Sequence, residues 1–229
     1  MNNESYTLSE VFADYIVSHQ PCGPIAEVAD LLASNDFSKG TFDELCSEIG
    51  VQQSLPSREE LLELLLFYIK FCLKDHKLTP NEMLTIRHLK IIFRIKETDL
   101  YKLKREDVKE LLTIEISRIL SDKIIDQSEA LHQVDLQRVL DLSYDQYVEL
   151  TKEPIESIVN DLIVKISADG VVTDAEREEL FHQIIALDTV YSLSPAQKRK
   201  IEEGFDHPKQ RGEINSIQRG ERLIRRSRK

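Results

Sequence analysis

Acidic residues recur in this chain at a fixed spacing, and carboxylates are the side chains that bind hard divalent cations such as Ca²⁺ and Mg²⁺. Three aspartates stand 47 residues apart, and each is followed seven residues later by a glutamate. A further aspartate lies inside the third set. The seven candidate metal ligands are therefore Asp75, Glu82, Asp122, Glu129, Asp169, Asp174 and Glu176.

The spacing of these carboxylates differs from that of an EF-hand. An EF-hand loop needs oxygen ligands at positions 1, 3, 5 and 12, with glycine at position 6. Counted from Asp75, position 3 is Lys77 and position 12 is Ile86, and the other two turns fail in the same way. Asp169 is the best single candidate, because Gly170 follows it and allows a positive φ.

Helix capping explains the same glutamates without a metal ion. The segments Thr79–Glu82 and Thr173–Glu176 have capping-box spacing, and Asp126–Glu129 is a close variant. In a capping box the glutamate accepts a hydrogen bond from the cap residue's amide, and a capped end contributes roughly 0.5–2 kcal/mol. The aspartates would end the preceding helices, where Asp orders turns through local hydrogen bonds. Capping and metal binding both remain open on the sequence alone.

The residues around these acids indicate the elements that must position them. Before each aspartate, apolar residues recur at steps of three, four and seven, which places them on one face of a helix. A second apolar face follows each turn. The predicted core positions of the first two units are Leu61, Leu64, Leu65, Ile69, Cys72, Leu89, Ile92 and Phe93, then Val108, Leu111, Leu112, Ile116, Ile119, Leu136, Val139 and Leu140.

The sequence thus predicts an all-α fold of three tandem helix-turn-helix units with a 47-residue period, stacked into one helical bundle. These units span residues 57–197, after an N-terminal helical cap over 1–56 and before a C-terminal helix and basic tail over 198–229. Within the cap, Thr7–Glu10 and Thr41–Glu44 have capping-box spacing, so we expect helices to begin there. No alternating Val/Ile/Thr segment predicts a substantial sheet.

Composition favours a soluble, cytoplasmic protein. Hydrophobic residues make up 41% of the 229 and charged residues 31%, which is typical of a folded globular chain. No apolar run reaches the roughly 18 residues that a transmembrane helix needs. Three cysteines without a disulfide pattern fit a reducing compartment.

The charge is unevenly distributed. The formal net charge is −11, yet the segment 207–229 carries eight Lys and Arg against two Glu. That basic arm would engage a protein partner, an acidic one above all, through Arg211, Arg219, Arg222, Arg225, Arg226 and Arg228. Peripheral contact of the arm with a membrane or with nucleic acid stays open as well. The arm has no aromatic residue to stack on bases, which disfavours nucleic acid.

The segment Asp169-Gly-Val-Val-Thr-Asp-Ala-Glu176 resembles the helix junctions of TerB-like domains in tellurite-resistance and bacterial stress proteins, and of DnaJ-like co-chaperone N-terminal regions. The resemblance covers residues 57–197 and is clearest in the third unit, since His76 and Lys123 replace the glycine in the others. It implies an all-α, non-enzymatic cytoplasmic domain in a multiprotein stress or defence assembly. It also implies a divalent metal on the third-unit acids, with the earlier Asp/Glu pairs less well matched.

No catalytic motif appears in the chain: neither a Ser/His/Asp or Cys/His spacing nor a glycine-rich phosphate loop. Cys72 falls in a predicted core column, so it is expected to pack rather than to react. His88 and His182 occupy equivalent positions of different units and are expected to be ordinary helix residues. The leading hypothesis is a non-catalytic interaction or scaffold module, and the alternatives are a divalent-metal sensor and a nucleic-acid binder.

The metal hypothesis makes a direct prediction for thermal stability. If the repeated turns bind an ion, Ca²⁺, Mg²⁺, Mn²⁺ or Zn²⁺ will raise the melting temperature, because a ligand of the folded state stabilises it by about 2.7 kcal/mol at a hundredfold excess over its Kd. The double variant Asp169→Asn/Glu176→Gln will abolish that rise. A melting temperature that no ion changes would leave capping as the role of these acids.

Overall fold

The computed structural model describes residues 5–52, 54–121, 127–167 and 199, and everything described below lies within them. These residues contain helices and no β-strand. The helices are α1 (Leu8–His19), α2 (Pro24–Ala33), α3 (Lys39–Gln52), α4 (Arg58–Cys72), α5 (Pro80–Ile92), α6 (Asp99–Leu103), α7 (Arg105–Ser121), α8 (Gln127–Val139) and α9 (Tyr144–Ser167), with a 3₁₀ turn at Leu73–Asp75. The all-α prediction is confirmed for this part of the chain.

The chain divides into two compact units, residues 1–152 and 153–229. The first unit contains the whole of α1 to α8, and the sites analysed below lie within it. In the second unit Pro154 and Ile155 are buried, and Pro154 stands inside a helix. No described helix is both long enough and apolar enough to cross a membrane.

The predicted core positions are largely buried. In α4, Leu64, Leu65, Ile69 and Cys72 are inaccessible to solvent, and in α7 so are Val108 and Leu112. One adjustment is needed in α4, where Leu62 is fully buried and Leu61 only partly. Leu89 of α5, Leu136 of α8 and Leu140 just after α8 are likewise buried. In the third predicted unit Ile155 is buried, and the rest of its predicted core, like the side chain of Ile119, lies outside the described side chains.

Two helix pairs of the first unit have matching boundaries. Helix α4 begins at Arg58 and α7 at Arg105, while α5 spans Pro80–Ile92 and α8 spans Gln127–Val139, so these three bounds recur 47 positions later. The ends of α4 and α7, at Cys72 and Ser121, are 49 positions apart. The short helix α6 connects the first pair to the second. The three-unit repeat as a whole stays a prediction, because most of the third predicted unit is outside the described residues.

The ends of α5 and α8 also match. Arg94 after α5 and Asp141 after α8 have left-handed backbones, with φ of 56° and 51°. In each case the next amide donates to the carbonyl five residues before it, at 2.9 Å from Ile95 to Lys90 and at 3.0 Å from Leu142 to Gln137. This 6→1 bond is the Schellman motif, which satisfies a free carbonyl at the helix end.

The N-terminal helices pack on α4 through aromatic rings. Phe12 of α1 stacks on Tyr68 of α4 with ring centroids 6.4 Å apart, and Tyr15 meets Phe67 edge to face at 4.9 Å. The Tyr68 hydroxyl donates to the Tyr6 carbonyl at 3.0 Å. These contacts fix the N-terminal segment to α4, and the division into a cap and repeat units stays a prediction.

Local capping agrees with the sequence at one N-terminal helix and differs at another. Thr7 and Glu10 form both bonds of a capping box at the start of α1. At α3 the predicted cap Thr41 is wrong, because the helix begins two residues earlier, at Lys39. Ser38 takes its place: the Thr41 amide donates to Ser38 Oγ at 3.2 Å, and the Ser38 amide donates to Thr41 Oγ1 at 2.9 Å. Ser38, three residues before Thr41, is therefore the N-cap residue of α3.

The left-handed backbone of Arg94 predicts a stabilising substitution. A non-glycine residue costs roughly 1–2 kcal/mol in this conformation, whereas glycine adopts it freely. We expect Arg94→Gly to unfold with a free energy about 1 kcal/mol higher than Arg94→Ala, measured by urea denaturation. The alanine variant is the matched control, since both variants lose the exposed ion pair between Arg94 and Asp43. Equal stabilities would contradict the prediction.

Candidate functional site

The structure describes only part of the predicted metal set. Asp75 and Glu82 are described with their surroundings, and Glu129 lies in α8 with its side chain outside the described part. Asp122, Asp169, Asp174 and Glu176 lie outside the described residues, as do all six arginines of the basic arm, Arg211, Arg219, Arg222, Arg225, Arg226 and Arg228. Among the described side chains, no three His, Cys, Asp or Glu residues are grouped so as to hold a metal ion.

Glu82 is a buried structural acid. Only 1% of the residue is exposed. Its Oε2 accepts hydrogen bonds from the Thr79 amide at 2.8 Å and the Thr79 hydroxyl at 2.9 Å, which completes the predicted capping box of α5. Its Oε1 accepts the Tyr6 amide at 3.0 Å, from 76 residues away. One carboxylate therefore caps a helix and holds the N-terminal segment.

Asp75 orders the turn between α4 and α5. Its Oδ1 accepts the Lys77 amide at 3.1 Å, and the side chain points into an exposed turn. The next residue, His76, has a left-handed backbone with φ of 61°, at the position that glycine holds in the third predicted turn. The Asp75 and Glu82 contacts match the capping interpretation, and the metal assignment of all seven acids stays a prediction.

A buried polar cluster that sequence reasoning missed lies between the two helix pairs. Glu115 of α7 is 3% exposed. Its Oε1 is 3.3 Å from His76 Nδ1, and its Oε2 is 3.1 Å from His132 Nε2 on α8. Arg118 Nε lies 3.6 Å from the same Oε2. One carboxylate thus joins the turn after α4 to α7 and α8.

A signal for this cluster was present in the sequence. Glu115 comes four residues after Leu111, three after Leu112 and directly before Ile116. It therefore lies on the apolar side of α7, where a carboxylate is unusual. Its counterpart in the first helix pair is Tyr68, 47 residues earlier, and the counterpart of His132 is Thr85. The two polar pairs therefore occupy equivalent places in successive helix pairs.

Two opposing effects set the pKa of Glu115. Burial alone would raise it, because the interior disfavours a charged carboxylate. Hydrogen bonds and charge interactions with His132 and His76 outweigh burial and hold the pKa below its usual value. The carboxylate is therefore ionised at neutral pH and acts as an acceptor for its neighbours rather than as a general acid.

The thiol of Cys72 is unsuited to nucleophilic chemistry. The residue is fully buried in α4, as its core column predicted. Burial, followed by the charge of Glu82, raises the pKa of the thiol to about 12. Because the thiolate is the reactive form, the group is inert near neutral pH.

A groove lies between α5 and α8 in the first unit. It encloses about 400 Å³. Apolar side chains from both helices form its floor, and three cations and one acid lie along it; the lining is Pro80, Met83, Leu84, Ile86, Val139, Arg87, Lys90, Arg138 and Asp141. The Lys90 ammonium bridges the two helix ends by contacting Asp141 Oδ2 at 2.6 Å. Burial lowers the pKa of Lys90, and the Asp141 carboxylate only partly offsets that effect.

A second hollow of about 520 Å³ adjoins the groove. It shares Arg138 and Asp141 with the first, and it continues past Val134 to the connection that carries Glu97 and Thr98. Thr98 has a left-handed backbone with φ of 76°, which is uncommon for a β-branched residue. The two hollows form one extended surface along α8, which we call the α5/α8 groove.

The Glu115 cluster predicts a specific pH dependence of stability. A folded pKa below the unfolded one contributes stability that is complete above the unfolded pKa, near pH 4.3 for glutamate, and is lost as the pH falls through the folded value. Relative to Glu115→Gln, the wild-type free energy of unfolding will therefore decline as the pH is lowered below about 5. Urea melts between pH 3 and 7 measure it, with the exposed Glu110→Gln on the same helix as control. Parallel curves for wild type and Glu115→Gln would contradict the assignment.

Comparison of the chain with protein-family models, curated proteins and solved structures finds no match. The TerB-like resemblance therefore rests on the junction motif, and function has to be argued from the groove and the buried polar groups described above.

Proposed function

We propose that this protein is a non-catalytic interaction module that binds protein partners along the α5/α8 groove. The observation that carries the proposal is the exposure of apolar side chains beside that groove. Leu84 of α5 and Val134 of α8 are each 51% exposed, and each lines one of its two hollows. Covering such surface on association is favourable by about 25 cal/mol per Å².

The polar groups of the first unit support a structural rather than a catalytic role. Glu82 caps a helix and holds the N-terminal segment, Glu115 joins three elements, and the Cys72 thiol is buried with a raised pKa. A catalytic base or nucleophile must be able to reach a substrate. These three groups are committed to contacts within the protein.

The basic arm over 207–229 extends the proposal. It carries eight Lys and Arg, whereas residues 1–206 carry a net charge of −17. The basic arm attracts an acidic partner, and contact through both the arm and the groove strengthens binding through effective concentration. With the TerB-like motif, this supports a scaffold role in a cytoplasmic stress or defence assembly of a bacterium.

Charge placed on the exposed apolar side chains of the groove tests the proposed function. Leu84→Asp/Val134→Asp should remove partners that the wild-type chain captures from a lysate of its source cells, at least tenfold by quantitative mass spectrometry, because each aspartate would have to be desolvated. Val17→Asp/Val51→Asp is the matched control, since both valines are exposed on other helices. A chain lacking residues 207–229, assayed in parallel at two salt concentrations, reports the contribution of the arm.

Circular dichroism melts must first show that both double variants fold as the wild type does. The proposal fails if the groove variant retains every partner that the control variant retains. It also fails if both variants lose the same partners to the same extent, because the effect would then not belong to the groove.

A further inference from the structure

We propose that the α5/α8 groove takes an amphipathic helix whose flanking side chains are acidic. This inference rests on the proposed function and names the chemistry of its partner. The juxtaposition behind it is an apolar floor between two cations, Arg87 on α5 and Arg138 on α8, in a protein whose net charge is −11.

The floor of the groove suits an apolar helix face. Ile86 and Val139 are buried at its base, Met83 is half-buried, and Leu84 stands exposed at its edge. Methionine adapts its shape to different side chains, and it recurs in surfaces that accept helices. Because Leu84, Arg87 and Arg138 are all exposed, the groove is open along its length rather than closed around a small molecule.

The charges along the groove select the sign of the partner. Lys90 already pairs with Asp141 across the helix ends at 2.6 Å. No carboxylate in the described part of the chain lies within 4 Å of Arg87. Arg138 is 3.5 Å from Asp135 but keeps 71% of its side chain exposed. Both arginines can therefore form ion pairs with an incoming acidic side chain.

The acidic character of the remaining surface does not reverse this selection. Charges farther away than about 8 Å are largely screened at physiological ionic strength. The groove lining itself carries three cations, Arg87, Lys90 and Arg138, against two acids, Glu97 and Asp141, so its local charge is positive. Nucleic acid fits the same arginines less well, because the lining offers no aromatic ring for base stacking and presents apolar side chains where phosphates would lie. A helix with an apolar stripe and acidic flanks satisfies both the floor and the cations.

A display library provides the test. Peptides with a fixed Leu/Ile helical stripe would carry Asp/Glu, Lys/Arg or Ser/Gln at the flanking positions in equal numbers, and would be selected against the purified full chain. We expect acidic-flanked helices to be enriched over basic-flanked ones by roughly tenfold or more, in a salt-dependent manner. No enrichment of helical peptides, or a preference for basic or uncharged flanks, would overturn the inference.

Reversing the charge of both groove arginines tests whether they cause the preference for acidic peptides. Arg87→Glu/Arg138→Glu should lose the acidic preference and gain affinity for the basic-flanked peptides, whereas Arg58→Glu, on α4 outside the groove lining, should leave the preference unchanged. An acidic preference that survives in the double variant would overturn the assignment. So would enriched peptides that bind equally well to Leu84→Asp/Val134→Asp.

The display experiment and the test of the proposed function can give negative results independently of each other. If Leu84→Asp/Val134→Asp loses its cellular partners but the library shows no acidic preference, the interaction module stands and only the chemistry of its partner is wrong. Light scattering of the purified chain completes the test, since a dimer that Leu84→Asp/Val134→Asp dissociates would show that a second copy, rather than a foreign helix, occupies the groove.

Discussion

Each helix pair in this protein has more apolar surface than the pair alone can cover, and that constraint determines the arrangement of the rest. Leu65 of α4 and Leu112 of α7 are fully inaccessible to solvent. Repeated helix pairs are stable only when each packs on the next. Helix α1 also packs on α4, through Phe12 and Tyr15.

Stacking also explains where the polar groups lie. Turns between helices must satisfy free amides and carbonyls, so Asp75, Glu82 and the left-handed residues Arg94 and Asp141 are found there. The second helices, α5 and α8, lie side by side with a gap between them, and the α5/α8 groove follows from that spacing. The surface that we propose for partner binding therefore results from the way α5 and α8 pack beside each other.

The features that are local in sequence could be predicted, and those that depend on contacts between distant residues could not. Helical periodicity located the buried faces of α4 and α7, and the capping-box spacing identified Thr79 with Glu82. The contact of Glu82 with Tyr6 spans 76 residues and has no sequence signature. Glu115 had a signal, as a carboxylate on the apolar side of α7, but its partners could not be named because they come from a turn and from another helix. The groove needs the separation of two helices, which no periodicity encodes.

The polar pairs inside the two helix pairs make them distinguishable to the folding chain. Tyr68 lies beside Thr85 in the first, whereas Glu115 meets His132 in the second. Helices of such similar length and pattern are at risk of pairing with the wrong copy, a characteristic failure of repeat proteins. If α7 paired with α5 instead, the Glu115 carboxylate would exchange His132 for Thr85 while keeping the contact with Arg118 of its own helix, and a buried carboxylate that loses a hydrogen-bond partner is destabilised. We therefore expect the ionic cluster to disfavour the pairing of α7 with the wrong helix during folding.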